Sequence, residues 1–309
     1  MISVYLQGGL GNQLFQIFTC IAYALENNIE FKFPLYNQNN KNPTSPPSIL
    51  YPNGHPRPPY WENFLNALKS YTVVNSELYK NLQNCQYREP HYHYCDIPKI
   101  NNGLLIGYFQ SDKYFKKYYS EILNLIKFND YKNVIKQKYK HLFLKDKSTY
   151  VSMQFRIGDS KRPNCGLNGA HIVIPIEFPE FNSDALKHII NMSKNKHYTI
   201  LYFCEEEDKE FVVNQINNYK KIFKNCSFIR PIGEDWEEII IMSLCEHNII
   251  NNSTFGWWGA YFNNNKKKIV CYPEAWWGKT NLCNNLKDLF PEEWCKIHCK
   301  DYWKKIHQL

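Results

Sequence analysis

The chain has 309 residues, of which 44% are hydrophobic and 21% charged, and its formal net charge is +8. These proportions exclude an intrinsically disordered chain and fit a folded protein with one large core or two ordinary ones. The positive charge favours anionic ligands. Many lysines fall in tracts such as 266–268 and 304–305, which are typical of solvated faces, so we expect no nucleic-acid partner.

The apolar stretch Ile2–Leu6 is too short for a signal peptide, and a membrane-spanning helix needs about 18 consecutive apolar residues, which are not found here. We therefore expect a soluble, cytoplasmic protein without a transmembrane segment. Its eleven cysteines are then expected to be reduced thiols. Two segments rich in histidine and cysteine, His91–Cys95 and Cys295–Cys299, lack the paired spacing of a zinc site, so we expect no metal.

Short apolar runs alternate with helix-period segments, a pattern that predicts α/β units on parallel sheets. In chain order, Ile2–Leu6 is a predicted strand, Gln13–Glu26 an amphipathic helix and Ile29–Phe33 a second strand. Residues 41–59 then contain seven prolines. This density excludes a helix or a central strand and predicts a long surface insertion, either a passive loop or part of an acceptor site.

The same alternation of apolar runs and helix-period segments continues through the rest of the chain. A strand is predicted over Leu104–Phe109 and a long helix over Asp112–Lys127, and the polar segment 129–147 is a predicted crossing between domains. Further strands are predicted at 150–155, 198–203, 248–250 and 268–271, with helices at 183–193, 209–217 and 235–245. We thus predict two α/β domains, residues 1–145 and 146–309, with a cleft between them and ligands beyond the carboxyl ends of the strands.

A glycine-rich loop follows the first predicted strand. Gly9 and Gly11 match the start of a dinucleotide fingerprint, but the third glycine position falls on Leu14, and no Gly-Lys-Ser/Thr follows as in a phosphate loop. Glycines permit positive φ angles and close backbone approach, and the helix N-terminus favours an anion. Two interpretations remain open, a ligand site that includes Asn12 or a tight strand-to-helix turn.

Arg156 directly follows the strand predicted at 150–155, where a purely structural arginine is costly to place. Its guanidinium is suited to bidentate contact with phosphate, and Asp159 is close enough in sequence to orient it or to act as a base. Glu205 and Glu206 follow the strand at 198–203. They either bind a ribose or base, or simply begin a solvated helix.

Ser253 and Thr254 follow the strand predicted at 248–250 and precede a helix-like stretch with two tryptophans. A serine or threonine there can serve only as a helix N-cap. The same hydroxyl and N–H groups can instead bind an anionic phosphate. The residues alone leave both interpretations open.

Five stretches together resemble the α-1,2-fucosyltransferase family, glycosyltransferase family 11. They are GGLGNQLFQ at 8–16, GYFQSDKYF at 107–115, VSMQFRIGD at 151–159, MSLCEHNIINNSTFGWWGAYF at 242–262 and YPEAWW at 272–277. The resemblance implies an α/β fold of the GT-B-like class, with two Rossmann-like domains facing across a cleft. It implies an acceptor side in the first domain and GDP-sugar binding in the second, GDP-fucose as donor, a glycan acceptor, inversion at the anomeric carbon and no required metal or cofactor.

The resemblance also implies roles for individual residues. Those implied to be catalytic are Arg156, Asp159 and Asn12. Those implied to bind the donor are Gly9, Gly11, Asn12, Arg156, Glu205, Glu206, Ser253 and Thr254, and His171 is implied to lie at the acceptor. Glu238 and His247 also match family positions, although helix packing explains both equally well.

The arginine motif departs from the family pattern His-x-Arg-Arg-x-Asp, because Gln154 replaces the histidine and Ile157 the second arginine. An amide donates and accepts hydrogen bonds but does not carry a proton as imidazole does. A different donor, or a non-catalytic glycan- or nucleotide-binding protein, therefore remains an alternative. If the two positions are merely weakened, Gln154→His with Ile157→Arg is expected to raise activity.

Overall fold

The computed structural model describes residues 1–35, 60–74, 78, 82, 85–145, 147–158 and 165–308. The proline-rich segment 41–59 and Asp159 lie outside these residues. The chain divides into two compact units, one formed by Met1–Lys132 with Asn285–Pro291 and the other by Asn133–Asn284 with Glu292–Leu309.

The first unit contains two small parallel sheets. One has the strand order β1-β5-β4 and the other pairs β2 with β3. The strands are β1 (Ile2–Val4), β2 (Phe33–Leu35), β3 (Thr72–Val74), β4 (Gln86–Arg88) and β5 (Gly103–Ile106), and the helices are α1 (Leu10–Asn27), α2 (Tyr119–Leu125) and α3 (Phe128–Lys138), which continues into the second unit.

Helix α1 follows β1 through the glycine loop. Gly8 has a φ of +78°, and a Cβ there would lie 2.4 Å from Asn12 Nδ2, so both the backbone conformation and the space require glycine. Leu14, Phe15 and Phe18 of α1 are fully buried. The helix ends at Asn27, and the C-cap residue Asn28 is in the left-handed conformation with a φ of 50° and closes the last turn.

The prediction of one long helix over Asp112–Lys127 is wrong. The segment instead forms two 3₁₀ turns, Asp112–Tyr114 and Lys116–Tyr118, before the short helix α2 begins. The break lies at Phe115, whose backbone leaves helical geometry and whose ring is buried against Phe18 with a centroid distance of 5.4 Å. Burial of this ring outweighs the local helical pattern.

The second unit contains a six-stranded parallel sheet in the order β11-β10-β9-β6-β7-β8. Its strands are β6 (Thr149–Gln154), β7 (Tyr198–Phe203), β8 (Cys226–Ile229), β9 (His247–Ile249), β10 (Val270–Pro273) and β11 (Cys295–Ile297). Its helices are α4 (Ile174–Glu177), α5 (Phe181–Ser193), α6 (Lys209–Ile222), α7 (Asp235–Ser243), α8 (Thr254–Tyr261) and α9 (Tyr302–His307). Apolar residues from β6, β7 and helices α5 and α6 share one buried core.

The predicted α/β class with parallel sheets is confirmed. The second predicted strand, Ile29–Phe33, lies too early in the chain, because regular pairing begins only at Phe33 while Phe31 forms a single bridge to Ile2. Strands β3, β4, β8 and β11 are absent from the prediction. The placement of two domains across a cleft stays a prediction.

All eleven cysteines lie within the described residues, and none forms a disulfide. Among the described helices, none combines the length and the apolar character needed to cross a membrane.

Candidate active site

In the second unit, β6, β7 and β9 are neighbours, so their carboxyl ends meet at one edge of the sheet. The chain after β6 is joined to the chain after β9 by Asn251. Its Oδ1 accepts the backbone N–H of Arg156 at 3.1 Å, and its Nδ2 donates to Asn182 Oδ1 at 3.1 Å. Asn251 is fully buried and fixes the Arg156 backbone. Asn251 is absent from the residues predicted from the sequence, although it directly follows the strand predicted at 248–250.

Gly158 shapes the loop after Arg156. Its φ is +26°, its N–H donates to the buried carboxylate of Asp208 at 2.6 Å, and a Cβ there would lie 3.4 Å from both Arg156 Nη1 and Glu205 Cγ. The side chains of Arg156 and Glu205 therefore both lie against this glycine. The structure thus brings together the residues predicted after β6 and β7, while Asp159 lies outside the described residues.

The N-terminus of α8 lies at the same edge. Ser253 is its N-cap, and Ser253 Oγ accepts the N–H of Phe255 at 3.2 Å. Thr254 is the first, partly exposed residue of the helix, and no acidic residue lies in the first turn of this fully described helix. The N-cap interpretation of Ser253 is confirmed. An uncompensated helix N-terminus is also suited to bind an anion.

Gln154 ends β6 directly beneath this N-terminus. Its Nε2 donates to Ser253 Oγ at 3.2 Å, and its Oε1 is buried without a hydrogen-bond partner among the described residues. A Cβ at Gly256 would lie 2.1 Å from Gln154 Oε1. Gly256 therefore leaves the space that Gln154 occupies, and the amide holds the capping serine.

Gly256→Ala is expected to destabilise the fold by about 1–3 kcal/mol, because the added methyl group overlaps the Gln154 amide. Urea unfolding measures this loss. In a double-mutant cycle, Gln154→Ala should cost less in the Gly256→Ala background than in the wild type, since it removes the overlap. Additive costs would contradict the contact.

Ile157, at the position of the family's second arginine, is fully buried in the core of the second unit with Phe155 and Ile172. The side chain therefore has a packing role. At this position, a residue of the apolar core thus replaces the arginine of the family motif.

The two acidic residues predicted after β7, Glu205 and Glu206, differ in their contacts. Glu206 is exposed and accepts from Arg230 Nη1 at 2.6 Å and from Lys209 Nζ at 3.0 Å. Its pKa is lowered by the hydrogen bond from Arg230 and then by that from Lys209. Arg230, which follows β8 and was missed by the sequence analysis, also donates to the carbonyl of Cys204 at 3.1 Å. Glu206 is thus already paired, and of the two predicted acids Glu205 is the better candidate for a ligand contact.

Glu238 on α7 has an altered ionisation. Burial raises its pKa from 4.5 to about 8, with Arg230 opposing the shift and Glu205 adding to it.

His247 on β9 behaves as a structural residue. Burial lowers its pKa to about 4, and its Nδ1 accepts the N–H of Ile269 at 3.0 Å.

Glu238→Gln is expected to reduce the pH dependence of stability. Because the folded-state pKa lies above the unfolded value of 4.5, wild-type stability falls as pH rises from 4.5 to about 8. The variant should therefore gain roughly 2–4 kcal/mol relative to the wild type between pH 5 and pH 8. Urea unfolding at the two pH values measures the gain, with the exposed Glu210→Gln as control. An equal pH dependence in wild type and Glu238→Gln would contradict the shift.

His171 is an exposed residue of the second unit that directly precedes a buried segment. It forms an antiparallel bridge with Trp277, and the two rings are 4.9 Å apart between centroids. The chain after β9 holds this segment, because Asn252 Nδ2 donates to the carbonyl of Ile172 and, at 3.2 Å, to that of Trp276. His171 is thus fixed in place, and its predicted acceptor role is not tested by these contacts.

In the first unit, Gly9 is the N-cap of α1 and Gly11 is buried in its first turn. A Cβ at Gly9 would meet open space. Asn12 Oδ1 accepts from Gln110 Nε2 at 2.9 Å, which joins the glycine loop to the chain after β5. Gln110 lies within the stretch at 107–115 that carried the resemblance, but its contact with Asn12 depends on tertiary structure.

No group of three or more histidine, cysteine, aspartate or glutamate side chains placed to hold a metal ion is found in the described part of the chain. In the segment Cys295–Cys299, His298 Nδ1 instead pairs with Glu274 at 2.6 Å.

A parallel sheet that presents an arginine and a capped helix N-terminus at its carboxyl edge is typical of α/β proteins that bind phosphorylated ligands. The model of the family described as glycosyl transferase family 11 matches residues 64–298. Because the match covers well over half of the chain, this chain belongs to glycosyl transferase family 11, and it is a glycosyltransferase of the fucosyltransferase type.

Two curated relatives come from Escherichia coli. The chain is 26% identical over 236 residues to the O-antigen biosynthesis glycosyltransferase WbnK, covering 74% of this chain and 69% of the relative. It is 24% identical over 326 residues to an alpha-1,2-colitosyltransferase, covering 96% of this chain and 99% of the relative.

Solved structures give weaker matches. A mutant of Arabidopsis thaliana FUT1 in complex with GDP matches with a TM-score of 0.43 and 13% identity, covering 87% of this chain and 69% of that one. E. coli ADP-heptose lps heptosyltransferase II matches with a TM-score of 0.34 and 12% identity, covering 56% and 46%. The family resemblance drawn from the sequence is confirmed, while the roles of individual residues stay predictions.

Proposed function

We propose that the protein transfers L-fucose from GDP-fucose to the 2-hydroxyl of a terminal galactose in a glycan, with inversion at the anomeric carbon. The observation that carries the proposal is the juxtaposition of Arg156 and the Ser253-capped N-terminus of α8 at one sheet edge, fixed by the buried Asn251. Both groups are suited to a diphosphate, one through its guanidinium and the other through its N–H groups.

The reaction requires stabilisation of the leaving group, which is GDP. The acceptor oxygen attacks the anomeric carbon, the bond from this carbon to the β-phosphate oxygen breaks, and GDP leaves with the bonding electrons. Negative charge then grows on the phosphate, where Arg156 and the first turn of α8 stabilise it. One preorganised donor of this kind contributes about 3 kcal/mol to transition-state stabilisation. We assign Asp159, three residues after Arg156, as the base that accepts the proton of the acceptor hydroxyl.

The remaining assignments follow the same edges of the sheets. Glu205, beside Gly158, binds the nucleoside of the donor, and Thr254 contributes to diphosphate binding. We assign Asn12 to the reacting sugar, and the glycine loop that precedes it leaves open space at Gly9. The cationic side chain and the helix N–H groups provide the charge that a divalent ion provides in other glycosyltransferases, so we expect turnover in EDTA.

A second candidate donor is a nucleotide-linked colitose. The specific observation in its favour is Gln154, which replaces the family histidine, together with the full-length similarity to a protein named alpha-1,2-colitosyltransferase. Both candidates share the diphosphate contacts and differ only at the sugar.

A donor screen tests the proposal. Hydrolysis of GDP-fucose, GDP-colitose, GDP-mannose and UDP-galactose is measured in EDTA, and the best donor is then offered with lactose. We expect GDP-fucose to be consumed and NMR to show an α-1,2-fucosyl galactoside. Preference for GDP-colitose would establish the second candidate. Absence of turnover with every donor, despite GDP binding, would indicate a non-catalytic binding protein.

A further inference from the structure

The carboxyl ends of the three strands of the β1-β5-β4 sheet are cross-linked by side chains. Between β1 and β5, Gln16 of α1 accepts the N–H of Gln7 on its Oε1 at 3.0 Å and donates from its Nε2 to the carbonyl of Gly107 at 3.1 Å. Between β5 and β4, Glu89 Oε2 accepts the N–H groups of Tyr108 and Phe109 at 2.8 Å and 2.9 Å. The loops after these strands therefore form one connected surface in the first unit.

A row of neutral hydrogen-bonding groups runs beneath this surface, in which Gln110 is buried and Tyr92 and Asn12 are partly exposed. Tyr92 donates its hydroxyl hydrogen to Gln110 Oε1, and Gln110 Nε2 donates to Asn12 Oδ1 at 2.9 Å. Amide and phenol groups in one row provide donors and acceptors without a net charge. Such groups are suited to the hydroxyls of an uncharged sugar.

Aromatic rings border this row. The rings of His91 and His93 are stacked with centroids 5.1 Å apart and planes at 3°, and Tyr108 is 41% exposed. The segment that carries the two histidines is fixed, because the N–H of Tyr94 donates to the buried carboxylate of Asp288 at 3.1 Å and that of Cys95 to Tyr114 Oη at 3.1 Å. Exposed rings on a fixed segment bind with little loss of conformational entropy.

We propose that the surface formed by His91–Tyr94 and Tyr108, supported from beneath by the buried Gln110, binds the glycan acceptor and determines which glycan is used. A pyranose presents an apolar C–H face, which packs on aromatic rings, and a rim of hydroxyls, which pair with the partly exposed Tyr92 hydroxyl and Asn12 amide. The inference rests on the proposed function, and it adds the element that selects the acceptor. The segment His91–Cys95, considered in the sequence as a metal site, is thus assigned to sugar binding.

Two variants test the inference, with lactose as the probe. Tyr108→Ala removes a stacking ring, and Tyr92→Phe removes the phenol hydrogen bond to Gln110. Both should raise KM for lactose at least fivefold at saturating GDP-fucose, with the Kd for GDP unchanged by calorimetry. Phe211→Ala is the matched control, because Phe211 is a 40% exposed ring in the second unit. An unchanged KM in both variants, or an equal effect of Phe211→Ala, would overturn the inference.

A binding measurement separates this inference from the proposed function. Saturation-transfer NMR detects lactose on the whole chain in the presence of GDP, whether or not transfer occurs. If the wild type transfers no sugar from any donor, the proposed function fails. The acceptor surface is then still supported by a lactose signal that Tyr108→Ala abolishes. A wild type without a lactose signal, or a signal that survives in both variants, contradicts it.

Discussion

Arg156→Ala is expected to lower kcat for sugar transfer at least 100-fold, because the variant loses the guanidinium that stabilises charge on the departing diphosphate, an effect of about 3 kcal/mol. The fold should be retained. The contact that fixes this position is the backbone N–H bond to Asn251, which alanine keeps. Steady-state kinetics and thermal unfolding together measure the two expectations.

Two further variants make the Arg156 result specific. Arg156→Lys keeps the charge but loses the bidentate geometry, so its kcat should lie between those of wild type and alanine variant. Arg88→Ala removes an exposed arginine of β4 in the other unit and should leave kcat unchanged. Normal turnover by Arg156→Ala would remove Arg156 from the mechanism.

Ile157→Arg is expected to prevent stable folding, contrary to the gain of activity that the family motif suggests. Ile157 is fully buried among apolar residues, and an unpaired guanidinium there costs on the order of several kcal/mol. Soluble yield and urea unfolding measure the loss. Ile157→Val, which removes one methylene, should cost only about 1 kcal/mol.

The family histidine is therefore best restored without the arginine, as the single variant Gln154→His. The side chain at position 154 contacts Ser253 and Gly256 at the helix N-terminus and lies outside the apolar core around Ile157. A folded, soluble Ile157→Arg variant with raised activity would contradict the packing role assigned to Ile157.

The sequence predicted the site best where local chemistry decides the structure. Strand β7 runs over Tyr198–Phe203 as predicted, because six consecutive apolar or β-forming residues carry a clear signal. The capping role of Ser253 is likewise local, since a serine before a helix satisfies a nearby N–H. The glycine loop is also explained locally, because Gly8 has a positive φ that favours glycine and a Cβ there would overlap Asn12.

The rest depends on contacts between distant residues. Asn251 and Gln110 resemble ordinary surface amides in the sequence, and only the fold brings them to Arg156 and Asn12. The burial of Ile157 was hidden for the same reason, since its neighbour Arg156 is polar. The predicted helix over 112–127 failed because the burial of Phe115 was not visible from the local period.

Calorimetry of GDP binding in EDTA tests the central claim, a GDP-sugar site at the carboxyl edge of the six-stranded sheet, most directly. We expect GDP to bind the wild type with a Kd of about 1 μM or lower, equivalent to about −8 kcal/mol, and to bind Arg156→Ala far more weakly. UDP and ADP should bind more weakly than GDP. Heat from UDP or ADP but none from GDP would contradict the account.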